Sequence, residues 1–359
     1  MLSIFSMEPF KLLLLVLSTF SFVWFAIPTL IQAAHNGRFF DAPDHERKVH
    51  LANIPNLGGV AIFFGFLFGC ILFLKAIALE YSNFLLGASM IIFAMGIRDD
   101  LMGLNAYVKV FIQFIAAFLV VYFGGVQIDT LFGLFGVQDL PILISIPFSI
   151  FIIIVITNAI NLIDGIDGLA TLIGIVITAA FGIVFLQMNQ LGWSRISFAL
   201  CGALLGFIRY NFSPAKIFMG DTGAYIIGFI LAILTIQFME LNRFETISNS
   251  NPFIKSSPAV GIGFMFVPLF DTLRVFIIRI SQGKSPFFAD RRHMHHFLLD
   301  RGWNHRQISL FLAGMSVFFI FFSLALQNIG SFNLIGTLIL IGVAIHFFME
   351  IFKKRNEKI

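Results

Sequence analysis

Apolar runs about as long as a bilayer is thick recur along nearly the whole chain, and that recurrence leaves few folds open. A helix needs about 20 predominantly apolar residues to cross the hydrocarbon layer. Eleven stretches are candidates: 9–33, 58–79, 83–97, 106–123, 142–160, 165–187, 193–208, 219–239, 258–280, 307–327 and 331–352, of which the third and seventh are short. In lipid, backbone polar groups must be satisfied within the protein, so such runs read as helices. Of the 359 residues, 58% are hydrophobic and 12% charged, roughly half the charge of a soluble domain. The sequence therefore predicts an all-α polytopic integral membrane protein with about 11 transmembrane helices. No internal repeat or linker is evident, so residues 1–359 read as one domain. The first run lacks a preceding basic segment and exceeds the roughly 7–15 residues of a signal-peptide core, so it reads as a retained span.

Basic residues set the orientation. Loops after odd-numbered spans, together with the C-terminus, carry 17 of the 23 lysines and arginines. That side reads as cytoplasmic, with the N-terminus outside. The net charge of +4 is small, and no basic patch interleaves with exposed aromatics, so nucleic acid is not an expected partner. The 48 phenylalanines read as lipid-facing bulk. Cys70 and Cys201 lie in apolar runs without a CxxC motif, which argues against a disulfide framework or a thiolate metal site.

Five polar clusters share the cytoplasmic side, within loops near 34–57, 98–109, 161–168, 209–222 and 281–306. They are "ERKVHLANIPNLGG" (46–59), "RDDLMGLNAYVK" (98–109), "NAINLIDGIDGLA" (158–170), "NFSPAKIFMGDTG" (211–223) and "DRRHMHHFLLDRG" (290–302). A single acid near a helix end is ordinary interfacial polarity. The adjacent pair Asp99-Asp100 is not, because two carboxylates repel and call for a cation, a proton or water. Asn161, Asp164 and Asp167 recur every three residues, a spacing that on a helix places them on one face. Gly165 and Gly168 beside them open the backbone to close approach. Asp221 could simply cap the helix that follows it. Taken together, Asp99, Asp100, Asp164, Asp167 and Asp221 come from three loops on one side. Costly polar groups gathered near a membrane usually face a shared cavity.

Oxygen ligands of this kind suit Mg²⁺, held by one or two carboxylates while substrate phosphates and water complete its shell; Mn²⁺ is the alternative ion. Arg47, Lys48, Lys109, Arg291 and Arg292 ring the same face and could neutralise phosphate oxygens. His293, His295 and His296 lack the further ligands zinc requires, and histidines beside arginines fit better as donors to a diphosphate or a sugar. The residues themselves thus suggest Mg²⁺-assisted chemistry between a soluble phosphate compound and a lipid phosphate. A transporter for a lipid-linked sugar is the rival reading. Transporters, however, place polar sites near the midplane and show repeats, whereas these acids cluster at one surface.

At these five clusters, from about residue 46 to 302, the chain resembles the polyprenyl-phosphate N-acetylhexosamine-1-phosphate transferases of glycosyltransferase family 4. The motifs are Asp99-Asp100 with Lys109, "NLIDGIDGLA", "NFSPAKIFMGDTG" and the histidine motif. The resemblance implies a bacterial inner-membrane enzyme with its site on the cytoplasmic face. Such an enzyme passes a sugar 1-phosphate from a UDP-N-acetylhexosamine to undecaprenyl phosphate and releases UMP. The branch using UDP-MurNAc-pentapeptide carries three consecutive histidines. Here Met294 interrupts the run, and "RKVHLANIPNLGG" and "PLFDTLRV", with Asp271 and Arg274, look like the branch using UDP-GlcNAc or a related donor. That branch begins O-antigen and similar cell-envelope polysaccharides.

The resemblance also implies roles. Asp221 matches the Mg²⁺ ligand. Asp99 matches the proposed base for the lipid phosphate, with Asp100 near metal and substrate. Asn161 and Asp164 match residues lining the catalytic cleft, Asp167 a nucleotide contact and Asn211 a cleft asparagine near the diphosphate. Arg292, His293, His295 and His296 match a loop closing over the UDP-sugar, and Lys48 and Lys109 cations near the phosphates. Asn105 departs from the family, which often has Ser there. The family resemblance also admits a homodimer.

Overall fold

A computed structural model describes residues 8–37, 54–74, 82–247, 254–284 and 292–356. The sequence-predicted Lys48, with Arg47 and Arg291, lies outside them. Among the described residues the chain is helical throughout and forms no strand, with one isolated bridge between Thr130 and Asp139. In chain order the helices are α1 (Glu8–Gly37), α2 (Gly58–Phe73), α3 (Ser82–Met102), α4 (Ala106–Phe118), α5 (Ile142–Ile163), α6 (Leu169–Gln187), α7 (Leu191–Asn211), α8 (Gly220–Ile247), α9 (Ser257–Phe264), α10 (Phe266–Ser281), α11 (Met294–Leu299), α12 (His305–Ala325) and α13 (Ser331–Asn356). A π-helical turn, Leu119–Phe123, extends α4.

Each of the eleven apolar runs carries helix among the described residues, but the runs are not equivalent. Among the described residues, eight helices are long and apolar enough to cross a membrane, or nine if α9 and α10 count as one bent crossing. Helix α2 has 16 residues, and α3 carries Arg98, Asp99 and Asp100 near its C-terminal end. The run predicted as one span over 258–280 breaks at Met265, where α9 and α10 meet at 80°. Pro268 accounts for the break. It has no N–H to give the carbonyl of Phe264 four residues back, and its ring would clash with that carbonyl in a continuous helix.

Helix α8 is the pillar of the fold. In its most apolar stretch 83% of the residues are buried, against 28% for α4 and 17% for α13. A helix apolar all round belongs in a core, and Ile226, Phe229, Ile233 and Phe238 are each fully buried there. The rim is different. Phe111, Phe114 and Phe118 of α4 and Phe347 and Phe348 of α13 face outward, as lipid-facing bulk should.

The two ends of α8 carry the polar architecture. At its C-terminal end the 124–141 connection folds back as a small hairpin, with Leu131 N–H donating to Gln138 O at 2.8 Å. This hairpin is tied to α8 by Asp129 N–H to Glu240 Oε1 at 3.0 Å and by Arg243 to Asp139 at 2.8 Å. Its N-terminal end gathers the motif-bearing segments.

Candidate active site

Segments 54–59 and 217–219 join first, through their backbones. Phe218 N–H donates to Pro55 O at 2.9 Å, Gly58 N–H to Phe218 O at 2.9 Å and Gly59 N–H to Met219 O at 2.8 Å. This brings two of the five clusters together at the start of α8. Gly220 permits the turn: its φ is +72°, and a Cβ there would meet Asp100 Oδ2 at 2.6 Å and Asn56 Oδ1 at 2.7 Å.

Asp100, closing α3, then caps α8 from another helix. Its Oδ1 accepts from Asp221 N–H at 2.7 Å and Asn56 Nδ2 at 3.1 Å. Its Oδ2 accepts from Thr222 N–H at 3.0 Å and from the Thr222 hydroxyl. A carboxylate on the exposed amides of a helix start is favoured by hydrogen bonding and by the helix dipole. Capping is thus the work of Asp100 rather than Asp221, and the Asp221 side chain is left for something else.

Asp221 keeps 37% of its side chain exposed. Its Oδ1 accepts from Asn161 Nδ2 at 2.9 Å, and its Oδ2 from Lys109 Nζ at 3.2 Å. Lys109 reaches in from α4 and also pairs with Asp99, which is buried and accepts from Leu104 N–H at 2.8 Å. The ammonium lies 5.9 Å from the Tyr225 ring, one turn into α8. Asn105, the departure from the family pattern, caps α4 by accepting from Tyr107 N–H at 2.9 Å.

The spacing of Asn161, Asp164 and Asp167 predicts one helical face, and the structure corrects this. Helix α5 ends at Ile163, and α6 begins only at Leu169. Asn161 is helical, Asp164 caps the end of α5, and Asp167 lies in the turn between the helices. The chain leaves the helix at Asp164, whose ψ is 60°, and Gly168, with a φ of +74°, turns it into α6. Asp164 stays beside the cluster. Burial, with the charges of Asp221, Asp100 and Asp167, pushes its carboxyl up to about 7.

Asp167 and Asn211 are instead buried and engaged in joining segments. Asp167 accepts from Ala215 N–H at 3.1 Å and pairs with His305 at 3.2 Å, at the start of α12. Asn211 Oδ1 accepts from Gly168 N–H and the Thr171 hydroxyl, while its Nδ2 donates to Ile217 O at 3.1 Å.

The histidine segment docks against the same turn. His295 is 1% exposed, and a Cβ on Gly165 would stand 2.2 Å from its Nε2. Burial and the neighbouring His296 push its imidazole down to about 3, so the ring is neutral. Its centroid is 4.2 Å from that of His296, and the buried His293 ring is parallel to it at 5.7 Å. Arg292 precedes His293, and its carbonyl accepts from Arg274.

The residues that sequence reasoning missed are Asn56, Thr222, Tyr225 and the pair Gln113–Asn158. Gln113 and Asn158 lie one turn along from Lys109 and Asn161, and Asn158 Nδ2 donates to Gln113 Oε1 at 2.7 Å. The i, i+4 spacing of Lys109 and Gln113 and of Asp221 and Tyr225 was the available signal.

Among the described residues, no set of three or more His, Cys, Asp and Glu side chains could by itself hold a metal ion. The donor set nonetheless fits a hard divalent cation of the kind that takes only one or two protein carboxylates. Asp221 is open to the cleft, and Lys109 joins it to Asp99. Two adjacent carboxylates are stable only with positive charge between them. Lys109 supplies part of that charge.

Residues 82–239 match the model for glycosyl transferase family 4. The decaprenyl-phosphate N-acetylglucosaminephosphotransferase of Mycobacterium leprae is 32% identical over 322 residues, covering 85% of this chain and 81% of the relative. Its counterpart of the same name from Mycobacterium tuberculosis is 33% identical over 291 residues, covering 74% and 70%. The undecaprenyl-phosphate alpha-N-acetylglucosaminyl 1-phosphate transferase of Escherichia coli K12 is 27% identical over 271 residues, covering 73% and 69%. Motifs, geometry and relatives converge: the chain belongs to the polyprenyl-phosphate N-acetylhexosamine-1-phosphate transferases of glycosyl transferase family 4, and it is a membrane-embedded transferase.

Proposed function

We propose that the protein transfers N-acetylglucosamine 1-phosphate from UDP-GlcNAc to undecaprenyl phosphate in a Mg²⁺-dependent reaction. UMP leaves, and the product is the lipid-linked first sugar of a cell-envelope polysaccharide. The observation that carries this reading is the Asp99–Lys109–Asp221–Asn161 cluster, held open at the start of α8 by Asp100. The relatives' names supply the sugar and the lipid. The interrupted histidine run and "PLFDTLRV" favour the N-acetylglucosamine donor over UDP-MurNAc-pentapeptide.

In this mechanism an oxygen of the lipid phosphate attacks the β-phosphorus of UDP-GlcNAc. The bond from that phosphorus to the bridging oxygen breaks, and UMP departs with the electron pair. The lipid phosphate has a second pKa of about 6 and is largely ionised at neutral pH. Asp99 accepts any remaining proton and, through Lys109, fixes the direction of attack. Lys109 holds phosphate oxygens beside Asp221, and Asn161 orients the Asp221 carboxylate. Mg²⁺ held on Asp221 supplies charge neutralisation at the diphosphate. Arg292 and the histidine segment cover the donor, and Lys48 adds positive charge at the phosphates. The site faces the cytoplasm of a bacterial inner membrane, which the apolar runs cross eleven times with the N-terminus outside.

The test is transfer of radiolabelled sugar by purified protein given UDP-GlcNAc, undecaprenyl phosphate and Mg²⁺. Lipid-linked label that appears with UMP and disappears with EDTA is the expected result. Label from UDP-GalNAc or UDP-MurNAc-pentapeptide but not from UDP-GlcNAc replaces the donor. Silence with every donor, from folded protein, rejects the reaction.

A further inference from the structure

One buried charged pair takes no part in the mechanism above. Asp271 and Arg274 lie on one face of α10, just past the bend, and are 1% and 8% exposed. Burying such a pair is costly unless each partner is well satisfied, and here the satisfaction comes from a distant segment. Asp271 Oδ1 accepts from Arg274 Nη2 at 3.2 Å and from Met294 N–H at 2.9 Å. Asp271 Oδ2 lies 2.9 Å from His293 Nδ1. Arg274 Nη2 also donates to the carbonyl of Arg292. Three consecutive residues, 292–294, are thus gripped by one i, i+3 pair, through a carbonyl, a ring and an amide.

The grip has a direction. A carboxylate paired with arginine only accepts hydrogen bonds, so the His293 Nδ1 facing it must carry the proton. Nε2 is then the nitrogen turned away from Asp271. Past this clamp, the His295 ring runs parallel to that of His293 and seats on Gly165, next to Asp164. The contact path runs from the bend in α10, through 292–294, to the turn that carries Asp164.

We infer that Asp271, aided by Arg274, is a positioning residue. It fixes the tautomer and placement of His293 and so seats the histidine segment over the donor side of the cleft. It touches neither substrate nor metal and acts through His293. The kinetic part of the test rests on the proposed reaction; the exchange part does not.

Asp271→Asn keeps the shape of the side chain but leaves one acceptor oxygen where two were used. Hydrogen–deuterium exchange across 292–299 is the first measurement. In Asp271→Asn that segment is expected to exchange about tenfold faster or more, with α8 unchanged. Unchanged exchange in the segment overturns the inference. The second measurement is steady-state kinetics with UDP-GlcNAc. The loss is expected as a rise in KM of about tenfold, with kcat within about threefold. It is also expected to shrink severalfold in a His293→Ala background, because the part of the loss that passes through His293 is already made there. Losses that multiply, or that fall on kcat alone, overturn it. Should Asp271→Asn not fold, His293→Phe keeps a ring without the Nδ1 donor. It is expected to raise both exchange and KM, and unchanged values overturn the inference. A wild type silent with all sugar nucleotides would refute the proposed reaction and leave exchange to decide this one.

Discussion

The two ends of α8 spend charge in opposite ways. At the C-terminal end and its neighbours, the acids have cations in reach. Glu240 and Asp139 share Arg243, and the buried Glu8 of α1 takes both Lys11 at 2.8 Å and Arg195 at 2.7 Å. At the N-terminal end, Asp99, Asp100, Asp164 and Asp221 gather around Lys109. Lys109 pairs with two of those four acids, Asp99 and Asp221. A protein satisfies buried charge where charge is structural; a cluster of acids around one lysine beside an exposed carboxylate is arranged for a charge that arrives with the substrate. Polarity near the membrane is common to both ends, so polarity alone does not mark the site; the gathering of Asp99, Asp100, Asp164 and Asp221 from three helices around Lys109 does.

The contrast breaks if charges at the two ends are interchangeable. Asp221→Asn is expected to lower kcat by about 10³-fold or more, on the order of 4 kcal/mol of barrier, with the thermal midpoint little changed. Arg195→Met at the far end is expected to do the reverse. It removes a partner of Glu8 and a donor to Phe73 O, at a cost of about 3 kcal/mol in stability, while turnover per folded molecule stays within about twofold. Kinetics and thermal unfolding of both variants in the same detergent decide the matter. A kcat loss in Arg195→Met comparable to that in Asp221→Asn would refute the division.

Asp164 sharpens the contrast, since its cost should be visible in the metal-free protein. A carboxyl raised to about 7 in the fold, from an ordinary value of 3.8, binds its proton more tightly folded than unfolded. Its stabilising contribution is complete below the unfolded value and is lost as pH climbs through the folded one. Metal-free protein should therefore lose stability between about pH 4 and pH 7 from this group. Asp164→Asn should be the more stable form at pH 8, by on the order of 2 °C, while transferring sugar more slowly. Added Mg²⁺ should narrow the gap, because the ion and the proton compete for the same carboxylates. Unfolding scans at pH 5 and pH 8, with and without Mg²⁺, measure this; a metal-free Asp164→Asn less stable than wild type at pH 8 refutes it.

The helices were legible because a bilayer-length apolar run admits little else. The bend at Met265 was not, since hydropathy is blind to the missing N–H of Pro268. Asp99, Lys109, Asn161 and Asp221 were legible as chemistry, and the structure brings them together. The roles of Asp100 and Asn56 were not, because capping across 121 residues leaves no local pattern. Asn161, Asp164 and Asp167 misled because three-residue spacing is a helical signal only where the helix runs through all three residues, and α5 stops at Ile163. Asp271 stood in view within "PLFDTLRV", but nothing in its own stretch says that its partners are His293 and Met294.

The smallest expected effect compares two helix starts. Helix α8 is capped from another helix by Asp100, so that cap ties assembly to the site. Helix α4 is capped by its own preceding residue, Asn105, which is exposed. Asn and Ser are near-equal caps, whereas Ala costs about 1 kcal/mol. Asn105→Ser, which restores the residue common in the family, should therefore change stability by less than about 0.5 kcal/mol and leave kcat and KM unaltered. Asn105→Ala should cost about 1 kcal/mol and still leave kcat per folded molecule unaltered, because α4 is also held by its packing and by Lys109. Thermal unfolding and turnover of the two variants test this. A fall in kcat with Asn105→Ser would mean that the Asn105 amide reaches the chemistry, and that the start of α4, like that of α8, belongs to the site.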